Sequence, residues 1–224
     1  MNRMWQEESG ADLARRYQLL GRWLTVLFWL VVPNLLAGGM SDEQVLTFFP
    51  ALRVPGMVLN FLCLLAYGGI LLGLGSQCGR YRVAGACYLA AGVIQMLLAL
   101  LSGGAELDGG LSALNSVAAV LSVVSAYQEC IGHSEVLTGV DGVLAGQWRK
   151  LWWWNVAALA AILGSSIFFV LFVSMLGMML GVMIVLAASV GALVVSVLKL
   201  VYLYWTASRF RIRGQQLAGE ERGM

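Results

Sequence analysis

Residues 151–198 read LWWWNVAALAAILGSSIFFVLFVSMLGMMLGVMIVLAASVGALVVSVL. These 48 consecutive residues contain no Asp, Glu, Lys, Arg or His. As one helix they would run about 72 Å at 1.5 Å per residue. A bilayer's hydrocarbon core is only about 30 Å thick. The chain must therefore turn back once inside this stretch, and Ser174-Met175-Leu176-Gly177 at its midpoint is the expected turn. The stretch then supplies a hairpin of two membrane spans, Trp152–Val173 and Met178–Leu203. Tyr202, Tyr204 and Trp205 suit an interfacial aromatic belt at its end, followed by Arg209, Arg211 and Arg213.

The rest of the chain has the same character. It is 224 residues long, 60% hydrophobic and 12% charged, with a mean hydropathy of +0.81. Soluble domains carry about twice that share of charge. Upstream, four more apolar segments are expected as spans: Trp23–Ala37, Val54–Leu74, Val83–Leu101, and a fourth from Leu111 whose helical pattern continues to Leu137. Pro33 removes a backbone donor and should kink the first span near its outer end. No small-residue cleavage site follows that span (Pro33-Asn34-Leu35-Leu36-Ala37), so it is read as uncleaved. The expected fold is an all-α, six-transmembrane-helix bundle.

Charge sets its orientation. With six spans, thirteen of the fourteen Lys and Arg residues lie on the side of both termini, and only Arg53 lies opposite. Four acids and that one base occupy the other side: Asp42, Glu43, Glu106 and Asp108. Positive residues are retained in the cytoplasm, so both termini are expected there. Residues 1–22 form a polar N-terminal segment with an interfacial helix (Ser9 and Asp12 at its start), 23–125 hold the first four spans, and 126–151 make a cytoplasmic helical loop. Residues 152–207 form the hairpin, and 208–224 a basic tail. The composition resembles that of small bacterial membrane proteins, so the bacterial cell membrane is the expected location. A net charge of +2 implies no nucleic-acid partner. The four cysteines (63, 78, 87 and 130) imply no exported disulfide framework.

The 126–151 loop is the longest polar interruption and holds the sole His, His133. Thr138-Gly139 should end the helix from span four, and Asp141 is a natural N-cap for the helix that enters span five. Cys130, His133 and Glu135 form C-x-x-H-x-E, with Glu129 on the same helix face and Cys78 on a neighbouring loop. A zinc site would need four such ligands, and a zinc deaminase a later P-C-x-x-C, which is missing. The blander expectation is a solvated helix face with no metal and no cofactor.

Enzymatic readings meet a shortage of chemistry. An intramembrane serine protease could use Ser165 or Ser166, but no His falls within a span. An aspartyl protease needs two intramembrane Asp, and none is present. Lipid-transfer chemistry needs Asp, Arg or His groups at the interface that this chain lacks. Lys199, alone in apolar sequence, is expected to snorkel to the cytoplasmic face, because a buried charge would require an intramembrane acid. An intramembrane polar cluster remains: Asn34, Asn60, Gln95 and Asn115, on four spans at similar depth. Amides in hydrocarbon usually bond helix to helix, and otherwise they would line a polar cavity open to the outside. Small residues at i,i+4 (Gly69 and Gly73; Ala157, Ala161 and Ser165; Gly177 and Gly181) allow close helix packing, within the chain or with another. The sequence points to a non-enzymatic binding, assembly or accessory protein, contacting a partner through the 126–151 loop, the basic tail or a small-residue face. The alternative is a small transporter or channel for an uncharged solute or lipid, built on the amides.

Overall fold

The structure is a computed structural model that describes residues 10–40, 43–102, 109–171 and 175–222. Among these residues every regular element is helical: α1 (Gly10–Trp29), α2 (Val31–Met40), α3 (Glu43–Phe48), α4 (Arg53–Leu74), α5 (Gly79–Ser102), α6 (Gly109–Leu137), α7 (Gly142–Leu171) and α8 (Met175–Arg222), with a 3₁₀ turn at Pro50–Leu52 before α4. Five helical stretches of the described residues are long and apolar enough to cross a membrane: Asp12–Met40, Pro50–Leu74, Gly79–Leu101, Gly109–Leu137 and Met179–Glu220. Ser9, Asp42, Glu106, Asp108 and the hairpin's Ser174 lie outside the described residues, as do the side chains of Ser165, Ser166 and Gly177.

The first span is broken where the sequence suggested a kink. Helix α1 ends at Trp29, and α2 resumes at Val31 with Pro33 in its first turn. A proline there loses little, because first-turn N–H groups have no partner within the helix. The break redirects the chain: α1 packs along α8, whereas α2 packs against α4. The remaining neighbours are α8 with α7, α7 with α6, α6 with α5, and α5 with α4, while α4 also touches α1. The helices thus form a closed ring.

Two helix pairs depend on missing side chains. In α5, a Cβ at Gly85 would stand 2.8 Å from the Gly68 carbonyl oxygen and 2.9 Å from Leu72 N of α4. Neither atom can move without moving the α4 backbone. In α1, a Cβ at Gly21 would meet Arg211 of α8 at 2.7 Å, and one at Gly214 of α8 would meet Gln18 at 3.0 Å. Contact order reverses along the pair, so α1 and α8 are antiparallel. Gly69 and Gly73, by contrast, have no neighbour within 4 Å of such a Cβ, so this face of α4 is open. Gly85→Val should therefore overpack the α4–α5 contact and lower stability by about 1–3 kcal/mol, while Gly73→Val should leave it unchanged. Thermal unfolding of both variants in detergent measures the contrast. Equal melting temperatures would refute this account of the contact.

Burial is uneven along the bundle. Leu35, Leu36, Val120 and Leu193 are 59–70% exposed, as expected of groups facing lipid. The tightest core lies instead at the end where most bases collect. There Leu20 and Leu24 of α1, Tyr81 of α5, Leu137 of α6, Leu144 and Trp148 of α7, and Ala207 and Phe210 of α8 are all buried together. The stretch 126–151 is the helical connection that the sequence suggested, with its inward side packed into this core. It consists of the end of α6 and the start of α7, joined at 138–141. Asp141 caps α7 by accepting from Leu144 N at 3.0 Å, and its other oxygen meets Arg209 at 3.2 Å. Residues 208–222 of the basic tail continue α8 as helix.

Candidate functional site

Three of the ring's helices converge on a buried ion pair. Glu129 of α6 accepts from Lys199 Nζ of α8 at 2.8 Å through Oε2. Its Oε1 accepts from the Tyr67 hydroxyl of α4 at 2.5 Å. Lys199 Nζ also reaches that hydroxyl at 3.4 Å and stands 5.8 Å from the centre of the Tyr67 ring. The Tyr88 ring of α5 packs on Tyr67 at 4.8 Å. Helix spacing accounts for the convergence: Ser122, Ser125, Ala126 and Glu129 occupy one stripe of α6 at intervals of three and four.

Two sequence expectations are corrected here. Lys199 does not snorkel outward; it turns into the bundle, because Glu129 supplies the acid that a buried lysine requires. His133, expected on a solvated face, is fully buried. One turn beyond Glu129, its Nδ1 lies 2.8 Å from the Tyr81 hydroxyl. Its ring stacks 4.3 Å from that of Trp148. Its Nε2 points toward Glu129 Oε1 at 3.6 Å, too far for a hydrogen bond, and has no hydrogen-bond partner among the described residues. Trp148 in turn donates from Nε1 to Thr206 Oγ1 at 3.0 Å. Glu129, His133, Tyr81 and Trp148 therefore tie the ion pair to the packed core.

Above the pair lies a cavity of about 330 Å³ within the ring. Glu129, Lys199 and Tyr67 form its polar floor, with Ser122, Ser125, Ser196 and Asn34 higher up; Leu27, Leu30, Val31, Leu200 and Leu203 supply apolar wall. The break between α1 and α2 falls at this wall, since Leu30 itself lines it. A second cavity of about 230 Å³ lies between α4, α5 and α6 and is lined by Asn60, Gln95, Tyr88 and Ser122, among others. Tyr88 and Ser122 border both cavities. Of the four amides, then, Asn60 and Gln95 come together in one cavity and Asn34 borders the other. Asn115 lies exposed on the outside of α6.

The residues suggestive of metal binding separate. Cys130 and His133 are buried, whereas Cys78 faces Glu135, with Sγ 3.5 Å from its Oε2. Glu135 is held by Arg80 at 2.6 Å. Burial pushes the Cys78 thiol up from its ordinary value, against the pull of the Arg80 backbone N–H, and the negative Glu135 pushes the same way. A protonated thiol is a poor ligand and a poor nucleophile. Among the described residues no three His, Cys, Asp or Glu side chains gather as a metal set.

No protein-family model, curated protein or solved structure matches this chain.

Proposed function

We propose that the chain is a six-span protein of the bacterial cell membrane, with both termini cytoplasmic, and that it acts by binding a small ligand rather than by catalysis. The thirteen-to-one distribution of bases supports the orientation. The span that brings the count to six is α7, fifth in chain order, whose 30 residues reach about 45 Å. One observation carries the functional reading: a cavity of about 330 Å³ inside the helix ring, apolar in its walls and floored by Lys199, Glu129 and Tyr67. Ligand sites are typically apolar clefts of about 300–1,000 Å³ with a few converging polar groups.

Two measurements test this. Cys introduced at Gly109 should react with an impermeant maleimide from outside the cell, and Cys introduced at Gly142 should not; the reverse pattern excludes the orientation. Ser122 borders both cavities, so Ser122→Trp should obstruct them. Protein purified in mild detergent should carry a small molecule that mass spectrometry detects and that Ser122→Trp loses. Equal occupancy in the two proteins, or none in either, rules out the binding role.

A second reading is transport of an uncharged solute or lipid. What favours it is that the Asn60–Gln95 cavity adjoins the Lys199 cavity across Tyr88 and Ser122. Such a series of polar surfaces is what a translocation path requires. An accessory role with a protein partner has the open Gly69–Gly73 face of α4 as its best surface, since the inward side of 126–151 already packs into the bundle core.

A further inference from the structure

We propose that the cavity within the helix ring takes an amphiphile with one hydrocarbon chain and an anionic head, the head resting on Lys199. This rests on the binding role proposed above and specifies its ligand. The floor is an ion pair, yet its two charges are not equally presented. The Lys199 side chain is 31% exposed, that of Glu129 only 4%. Both Glu129 oxygens already accept, one from Tyr67 and one from Lys199. A visitor to the cavity therefore meets a cation, not an anion.

Asn34 and Tyr88 also border the cavity, but among the described residues Lys199 is its one charged donor, and this narrows the head further. Ser122 donates to the Ala118 carbonyl, Ser125 to Ala84 and Ser196 to Ala192, and Tyr67 donates to Glu129. The ammonium group has three N–H bonds. One meets Glu129 at 2.8 Å and one reaches Tyr67 at 3.4 Å. The third remains for an incoming acceptor, and a charged acceptor forms the stronger, shorter bond. A cationic head would face the like charge of Lys199 with no free carboxylate oxygen to receive it. The Leu and Val walls suit a hydrocarbon chain rather than a polar body.

The natural chain, held in nanodiscs of phosphatidylcholine, provides the test, with dodecanoate, dodecyl phosphate, dodecanol and dodecyltrimethylammonium as probes below their micellar concentrations. Affinities are read from the ligand-dependent rise in melting temperature. Dodecanoate or dodecyl phosphate should bind about tenfold or more tighter than dodecanol, the factor that a charge-assisted hydrogen bond supplies. Whichever of the two binds tighter identifies a carboxylate or a phosphate head. Dodecyltrimethylammonium should bind no better than dodecanol. Glu129→Gln frees Lys199 from its internal partner and should raise the affinity for the anionic probe. Glu129→Gln combined with Lys199→Gln leaves no stranded charge, and should reduce that affinity to the dodecanol level. Equal affinities of all probes for the natural chain would overturn the anionic head while leaving the binding role standing. Tight anionic binding that survives in the double variant would overturn the assignment to Lys199. If no probe binds, the proposal falls, and the Ser122→Trp comparison decides the binding role independently.

Discussion

Lys199→Met should destabilise the protein by about 3–5 kcal/mol, the usual penalty for leaving one member of a buried ion pair without its partner. Glu129 is 3% exposed, and without Lys199 its carboxylate would keep only the Tyr67 hydroxyl. Methionine fills much of the lysine stem's volume, so little of the loss would come from packing. The decisive comparison is the double variant Lys199→Met with Glu129→Leu. Replacing both members of a buried pair by apolar groups is often neutral or stabilising, so the double variant should melt near the natural chain. Thermal unfolding in one detergent, followed by circular dichroism, measures both. A single variant as stable as the parent would show that Glu129 does not depend on Lys199.

Trp148→Ala should cost a similar amount, about 3–5 kcal/mol, for a different reason. Trp148 is completely buried, at the point where α6, α7 and α8 meet the basic end of α1. Its removal would open a cavity beside His133 and remove the donor to Thr206. Trp148→Phe separates the two losses. Phenylalanine keeps most of the ring volume and forfeits the bond to Thr206, which still donates to the Tyr202 carbonyl at 2.6 Å. That variant should lose about 1 kcal/mol from the missing hydrogen bond. Trp153 is 68% exposed, and Trp153→Ala should leave the melting temperature in detergent nearly unchanged. Similar losses at positions 148 and 153 would mean that the aromatic cluster anchors to the interface rather than to the protein core.

The apolar helices, the break before Pro33 and the Asp141 cap were legible in the sequence because each is a local matter of hydropathy, a missing N–H or a side-chain oxygen three residues from its donor. The ion pair was not, since sequence does not state the depth at which one helix meets another. Glu129 falls in a polar stretch and reads as wetted; Lys199 falls in an apolar stretch and reads as alone. Only the stagger of α6 against α8 brings the two level. A signal was nonetheless present. Ser122, Ser125, Glu129 and His133 recur at intervals of three and four, a polar stripe along one face of α6, and such a stripe seeks the interior. The amides illustrate the complementary limit. Similar depth brought neither Asn34 nor Asn115 to Asn60 and Gln95, because depth fixes height along a helix and not the direction a residue faces around it.

The antiparallel pairing of α1 with α8 has a consequence for biosynthesis. The ring closes only when the helix made last meets the one made first, with the hydrogen bond from Gln18 to the Gly214 carbonyl spanning 196 residues of chain. Glu129 emerges from the ribosome 70 residues ahead of Lys199. Throughout that interval α6 holds a carboxylate without its counter-ion, and the face of α1 that packs along α8 lacks its partner. The nascent chain must pass through a stage in which α1–α7 have been made but the ring is still open. Long-range closure of this kind is slow compared with helix formation, so maturation of the ring is expected to end well after synthesis of α7, on the arrival of α8.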